Sequence, residues 1–255
     1  MRAQSDPWFA EYLLRVGGGT EEANNDGDVH LPDEICVPYI GDDRDLDRLI
    51  DDIYPNLNEN MSNTRYITSR AILTTRNDWV DTINMRMIDR FQGEQMMYHS
   101  FDTTVDDPNN YYPSEFLNTL IPNGLPPHVL KLKVECPIML LRNIDLANRL
   151  CNYTRLNAGM QIFLPRIPLC PSDDEMFPFH FKRKQFPVRL SFAMTINKSK
   201  DQTIPNVVVY LPEPVFSHGQ LYVALSRGTA RSNVKILAIP FTDEKKNKGY
   251  KRTQQ

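Results

Sequence analysis

The nine residues Thr195 to Thr203, Thr-Ile-Asn-Lys-Ser-Lys-Asp-Gln-Thr, follow directly on an apolar run. Thr195 and Ser199 offer hydroxyls, Asn197 a carboxamide and Lys198 an ammonium, a donor set that suits phosphate oxygens. Lys200, Gln202 and Thr203 extend it, whereas Asp201 puts a carboxylate where phosphates would lie. At the carboxyl end of a strand in an open α/β sheet such a turn would be a ligand site. Taken alone, a plain polar turn is the commoner explanation. A second stretch, His218 to Arg227, has helical spacing, with Tyr222, Ala224 and Leu225 available for burial and Arg227 at its end. That arginine is either a cation on a helix C-terminus or a fork of donors reaching a phosphate during phosphoryl transfer.

Such residues need a sheet to place them. "AILT" (71–74), "VRLSFAMTI" (188–196), "NVVVYL" (206–211) and "NVKILAI" (233–239) read as buried strands. Asn77 stands where an N-cap belongs, and Val80, Ile83, Met87, Ile88 and Phe91 share one helical face. "DPWFAEYLLRV" is helical and stops at Gly17–Gly19, and Leu46, Ile50 and Ile53 mark another helix. Strand followed by helix predicts an α/β unit. From about Glu115 the texture changes to short strands, "VLKLKVECPIMLLRNID" and "MQIFLPRI", broken by Pro, Asn and Gly, which predicts a small inserted barrel. The expected bounds are 1–114 for the first part of the α/β domain and its preceding helices, 115–176 for the barrel and 177–240 for the rest. A basic, disordered tail is expected over 241–255.

Composition narrows the functional class. No apolar run approaches the length of a membrane span, and the acidic, polar N-terminus does not read as a signal peptide. The four cysteines are scattered without a CxxC pair, so free structural thiols are expected and no metal site. The formal charge of −3 hides an asymmetry. Residues 1–60 hold 15 Asp/Glu against 4 Lys/Arg, and residues 178–255 hold 4 against 14. A basic half can track nucleic-acid phosphates, with Lys182, Arg183, Lys184, Lys198 and Lys200 as candidate contacts. Phe181 and Phe186 beside them could stack on bases, although a core is the more usual use of such residues.

Taken together, "FPVRLSFAMTINKSKDQT" and "VYLPEPVFSHGQLYVALSR" resemble the C-terminal motor motifs V and VI of the petite-integration-frequency DNA helicases of superfamily 1. The form resembled is the one carried by plant genomes and Helitron transposons. "CPIMLLRNIDLANRLCNYTRL" is similar to that family's inserted 2B barrel, and "PWFAEYLLRVGGGTE" and "AILTTRNDWVDTINMRMI" to segments before it. The resemblance runs from about Met1 to Ala238. It implies a second RecA-like domain with an inserted 2B barrel, from a motor that hydrolyses ATP between two RecA-like halves and moves 5′ to 3′ on single-stranded DNA.

It further implies roles for particular residues. Arg227 corresponds to the motif VI arginine that reaches the γ-phosphate, and Arg2 to a second such arginine, both acting only in a complete motor. Thr195, Asn197, Lys198 and Ser199, with Gln202 and Thr203, correspond to the motif that couples the nucleotide cleft to DNA. Asn152 and Thr154 fall in the barrel's signature loop near DNA. Three positions depart from the family pattern: Lys200-Asp201 replaces a usual Gln-Gly, and Tyr153 stands where glycine is usual.

A phosphate-binding loop needs GxxxxGK followed by Ser or Thr, and none of the 11 glycines precedes a lysine. "HLPDEI" (30–35) contains Asp33-Glu34, a poor magnesium-binding strand because of its proline. The expectation is therefore a helicase segment cut before its P-loop domain and without ATPase activity alone. ATP and magnesium are implied only for the full-length family enzyme. Implied partners are single-stranded or forked DNA and the missing N-terminal motor domain, with no membrane. The resemblance implies DNA repair, recombination, telomere maintenance or transposition, in the nucleus or in mitochondria. A non-catalytic single-stranded DNA binding module and a decayed transposon relic are the alternatives.

Overall fold

The computed structural model of the chain describes residues 3, 5–22, 29–42, 44–105, 111–156, 162–171, 177–200, 202–213 and 218–239. In chain order the elements are α1 (Pro7–Gly18), α2 (Asp45–Ile53), α3 (Leu57–Asn60), α4 (Thr64–Thr68), β1 (Arg70–Thr74) and α5 (Asn77–Arg90). Then come β2 (Gln95–His99), β3 (Phe101–Thr104), α6 (Ser114–Thr119), β4 (Val129–Lys133), β5 (Ile138–Leu140), β6 (Arg155–Leu156) and β7 (Ile167–Leu169). The last are β8 (Phe181–Gln185), β9 (Val188–Leu190), β10 (Ala193–Thr195), β11 (Asn206–Leu211), α7 (His218–Leu225) and β12 (Val234–Ala238). They form two compact units, one of Met1–Asn60, Arg65–Met87 and Phe192–Gln255, the other of Met61–Thr64 and Ile88–Ser191.

The first unit is built on a parallel sheet of order β10-β1-β11-β12. β1, β10 and β11 are near-continuous runs of buried residues, as expected when both faces of a parallel sheet are covered, whereas β12 at the edge exposes Lys235 and Ala238. α1 starts because the Asp6 carboxylate accepts from the Phe9 amide at 3.1 Å and Pro7 is set for the first turn. It buries Phe9, Tyr12, Leu13 and Val16 and ends at Gly19, whose φ of 67° suits a residue without Cβ. α2 buries Leu46, Leu49, Ile50 and Ile53, and α5 turns Val80, Ile83, Met87 and Ile88 inward. The Asp33–Ile35 segment is a short 3-10 turn rather than a strand, and Cys36 then bridges in parallel to Ile236 of β12.

"VRLSFAMTI" is not one strand. It breaks at Ser191-Phe192 into β9, antiparallel to β5 in the second unit, and β10, parallel to β1 in the first. Every residue from Val188 to Ile196 is buried, so burial alternation carried no phase to reveal the break.

The second unit holds three small antiparallel sheets, β2-β4, β3-β8-β7 and β6-β5-β9. One core gathers Leu130, Leu140, Leu150, Leu156 and Val188, and a second Leu117, Leu125, Leu169 and Phe181, with Tyr112, Phe177 and Phe179 against it. β2 and β3 precede residue 115 yet pair here with β4 and β8, so the expected boundary at 115 falls inside this unit. Of "MQIFLPRI" only its last residue is in a strand, and Met160 and Gln161 lie outside the described residues, as does the tail from Pro240.

In the β5–β6 turn, Tyr153 adopts φ 67° while its amide donates to the Leu140 carbonyl at 2.8 Å. The turn keeps a left-handed backbone at the position where the resemblance implies glycine. A left-handed residue with a Cβ costs about 1–2 kcal/mol, partly offset by the greater chain entropy of glycine. Tyr153→Gly is therefore expected to stabilise the protein by about 1 kcal/mol, raising the melting midpoint by about 2–4 °C. A fall in the midpoint, measured by calorimetry, would show that the phenol ring contributes more than the backbone loses.

Candidate nucleotide and nucleic-acid site

Because β10, β1 and β11 are parallel, their carboxyl ends lie along one edge, where open α/β sheets place ligands. Thr195 closes β10 directly beside Thr74 of β1 in register. Both are buried, and the Thr74 hydroxyl has no hydrogen-bond partner among the described residues. After Thr195 the chain forms a 3-10 turn over Ile196–Ser199. Ile196 anchors it in the core, and Ser199, fully buried, donates to the Ile196 carbonyl at 2.7 Å. Asn197, Lys200 and Thr203 point to solvent, and Lys198 and Gln202 are half-buried.

The Lys198 ammonium donates to Asn77 Oδ1 at 3.1 Å, which ties the turn to the start of α5. Nearby, Thr75 Oγ1 donates to Glu213 Oε1 at 3.0 Å and Arg76 faces the same carboxylate at 3.6 Å. Thr74, Thr75 and Asn77 carried no site reading beyond a helix cap. The clue was their position just after a buried strand of a parallel sheet. Asp201 and Arg2 lie outside the described residues.

Arg227 follows α7 and turns inward, 7% exposed. Its Nε donates to the Val223 carbonyl at 2.9 Å and its Nη2 to Ser226 Oγ at 2.9 Å. Nη1 meets the carbonyls of Ser199 at 3.2 Å, of Gln202 at 3.4 Å and of Lys200. The guanidinium thus satisfies the end of the 3-10 turn, whose carbonyls carry partial negative charge. Sequence spacing left open a helix-end cation or a phosphate finger; the partner found is the other motif. Gly228 is what lets this segment lie on β12, since an added Cβ would sit 2.3 Å from Val234 Cγ2.

The second unit disposes its expected contacts differently. In β8, inward and outward residues alternate, so Lys184 is exposed and Lys182 half-exposed while Phe181, Arg183 and Gln185 are buried. Arg183 is therefore corrected: it is a core residue, 1% exposed, and no phosphate contact. Its Nε and Nη2 clasp the Asp102 carboxylate at 3.0 and 2.7 Å, and the remaining donors reach the Pro126 and Leu120 carbonyls at 3.1 Å each. Ser100 Oγ donates to Asp102 at 2.6 Å and lies 2.8 Å from His128 Nδ1. With the one hydroxyl proton on Asp102, His128 Nδ1 must be the donor to Ser100. Burial pushes the His128 pKa below the usual value. Phe181 is core and Phe186 packs edge-on against Tyr98 at 5.3 Å. Asn152 is exposed with its amide on Asn143 Oδ1 at 2.8 Å, and Thr154 Oγ1 accepts from the Cys151 amide at 3.2 Å. Both shape their loop.

A parallel sheet bearing a polar turn at its carboxyl edge, with a separate unit of small antiparallel sheets inserted before β10, is consistent with a RecA-like helicase domain carrying an insertion. Comparison makes the likeness particular. Residues 115–158 match the family described as DNA helicase Pif1, 2B domain. The chain is 29% identical over 181 residues to the ATP-dependent DNA helicase PIF1 of Danio rerio, covering 65% of this chain and 27% of that protein. It is 28% identical over 180 residues to the human protein of that name, covering 65% and 26%. The chain thus spans about a quarter of the length of these curated relatives. In fold it is similar to the crystal structure of Pif1 helicase from Candida albicans, with a TM-score of 0.56 and 20% identity over 94% of this chain and 55% of that one. Bacteroides Pif1 bound to ssDNA gives a TM-score of 0.54 and 18% identity over 92% and 50%. The chain resembles the C-terminal part of Pif1-type superfamily 1 helicases.

Proposed function

We propose that this chain acts as the C-terminal motor segment of an ATP-dependent 5′–3′ DNA helicase. In this reading the first unit is one wall of a nucleotide cleft and the second is a 2B domain. The observation that carries it is the direct bond between the two motifs, Arg227 on the Ser199 carbonyl at 3.2 Å. An arginine drawn toward a phosphate would pull on the turn that presents Asn197, Lys198 and Lys200. Nucleotide state and DNA contact would then share one switch. The relatives are named ATP-dependent DNA helicases, and a Bacteroides Pif1 of similar fold was solved with ADP-AlF3 and ssDNA. Repair, recombination, telomere maintenance or Helitron transposition are processes such a motor would serve.

The residues present do not fit a complete ATP and magnesium site. The sequence has no Gly-Lys dipeptide and so no phosphate-binding loop of the P-loop kind, which would also supply a magnesium ligand. ATP would therefore be held chiefly by a partner motor half, with Arg227 and Arg2 supplying positive charge at the γ-phosphate. The chain alone is expected to show no ATP turnover above background with single-stranded DNA present, measured by phosphate release. Robust turnover that Arg227→Ala abolishes would overturn this.

A second reading, a non-catalytic single-stranded DNA binding module, is favoured by the outward lysines of β8 and the exposed Lys200. Anisotropy of a labelled oligonucleotide at low and moderate salt separates them from an inert relic, which would not bind at low salt.

A further inference from the structure

The structure points to a single-stranded DNA contact that none of the motor motifs includes. We propose that the outer face of the β3-β8-β7 sheet is a base-stacking platform centred on Phe101. The proposal rests on the DNA-binding part of the reading above and adds a residue and a surface to it.

Phe101 is 67% exposed, at the first position of a regular strand. In register it lies opposite Lys184, and Thr103 lies opposite Lys182. On the far side of β8, Pro168 is opposite Lys184 and also exposed. Directly paired side chains have Cβ atoms about 5 Å apart, and diagonal neighbours about 7–8 Å. One aromatic face is thus flanked by two ammonium groups. Lys182 and Lys184 are spaced about 6.8 Å along the strand, a span that neighbouring phosphates of an extended single strand can match. Neither lysine makes an ion pair or side-chain hydrogen bond with another described residue. A face-exposed ring beside outward-facing cations is the combination by which single strands are held without sequence preference.

The buried side of the same sheet fixes this arrangement. Asp102 and Arg183 are themselves a register pair, joined by the two-point ion pair. A slip of one residue would bury Lys182 and Lys184 and expose that pair, so the outward parity is strongly specified.

The test is anisotropy of the full chain with labelled oligo(dT) and with an abasic strand of equal length. Phe101→Ala is expected to weaken oligo(dT) binding about fivefold or more and to leave abasic binding unchanged, while Phe101→Tyr retains affinity. Lys182→Ala with Lys184→Ala is expected to lower the slope of log affinity against log salt by about 1.4. Melting midpoints check that these surface variants fold. Equal losses on both strands, or unchanged oligo(dT) binding by Phe101→Ala, overturn the platform. If only Lys198→Ala and Lys200→Ala weaken binding, the platform falls and the motor reading stands. If the unaltered chain binds neither strand, both fall.

Discussion

Asp102→Ala is expected to destabilise the second unit by about 3–5 kcal/mol. Asp102 and Arg183 sit opposite each other on β3 and β8 and are 6% and 1% exposed. Deleting the carboxylate leaves a guanidinium in the core with only the Pro126 and Leu120 carbonyls as acceptors. It also strips Ser100 of its acceptor, so the His128–Ser100 contact loses its anchor. An uncompensated buried charge costs far more than the pair contributes, because desolvation is no longer offset. The double replacement Asp102→Leu with Arg183→Met should therefore recover most of the loss. Urea unfolding followed by fluorescence reads both. A single-variant loss below about 1 kcal/mol would mean that the pair behaves as a surface ion pair.

The second large effect is expected at Arg227, and it is local. Arg227→Ala removes the donor shared by the Ser199, Lys200 and Gln202 carbonyls. Hydrogen bonds from a charged donor contribute about 1.5–3 kcal/mol, so the end of the Ile196–Ser199 turn should loosen while the sheet beneath it holds. The amides that report it are Gln202, bonded to the Ser199 carbonyl at 2.9 Å, and Ile204, bonded to the Arg227 carbonyl at 3.4 Å. Their hydrogen exchange should quicken by about tenfold or more, with β11 unchanged. Arg227→Lys should rescue little, since one ammonium cannot reproduce a planar fork of donors. Unchanged exchange at both amides would show that the turn stands without the arginine. For a motor, this geometry also sets a condition: the guanidinium must leave these carbonyls before it can meet a phosphate.

Much of the first unit was legible because its signals are local and periodic. Val80, Ile83 and Met87 mark one helical face by spacing alone, and "NVVVYL" is long and β-branched enough to be a buried strand. The second unit was less legible. "QMMYH" carries few strand-forming residues, and its pairing with β4 depends on partners 30 to 38 positions away. Lys182-Arg183-Lys184 looked like one basic patch because composition has no parity. Only the strand assignment sends Arg183 inward and the lysines outward. At the candidate site the sequence marked Thr195 to Ser199 and Arg227 as polar groups with phosphate chemistry. That the two stretches bind each other could not be read from either, since the contact joins residues 25 to 28 positions apart through side-chain rotamers.

Where the chain re-enters the first unit, Ala193 donates its amide to Asn84 Oδ1 at 2.9 Å and accepts from Asn84 Nδ2 at 3.2 Å. A single carboxamide thus occupies the outer edge of β10, the rim of the parallel sheet, as a neighbouring strand's peptide would. The rim is closed to strand addition at that point, and the root of the insertion is tied by a group that belongs to the host. Closure entropy grows only slowly with loop length, about 0.6 kcal/mol per doubling. The insertion is therefore modular: lengthening, shortening or exchanging it leaves the sheet's own bonding intact.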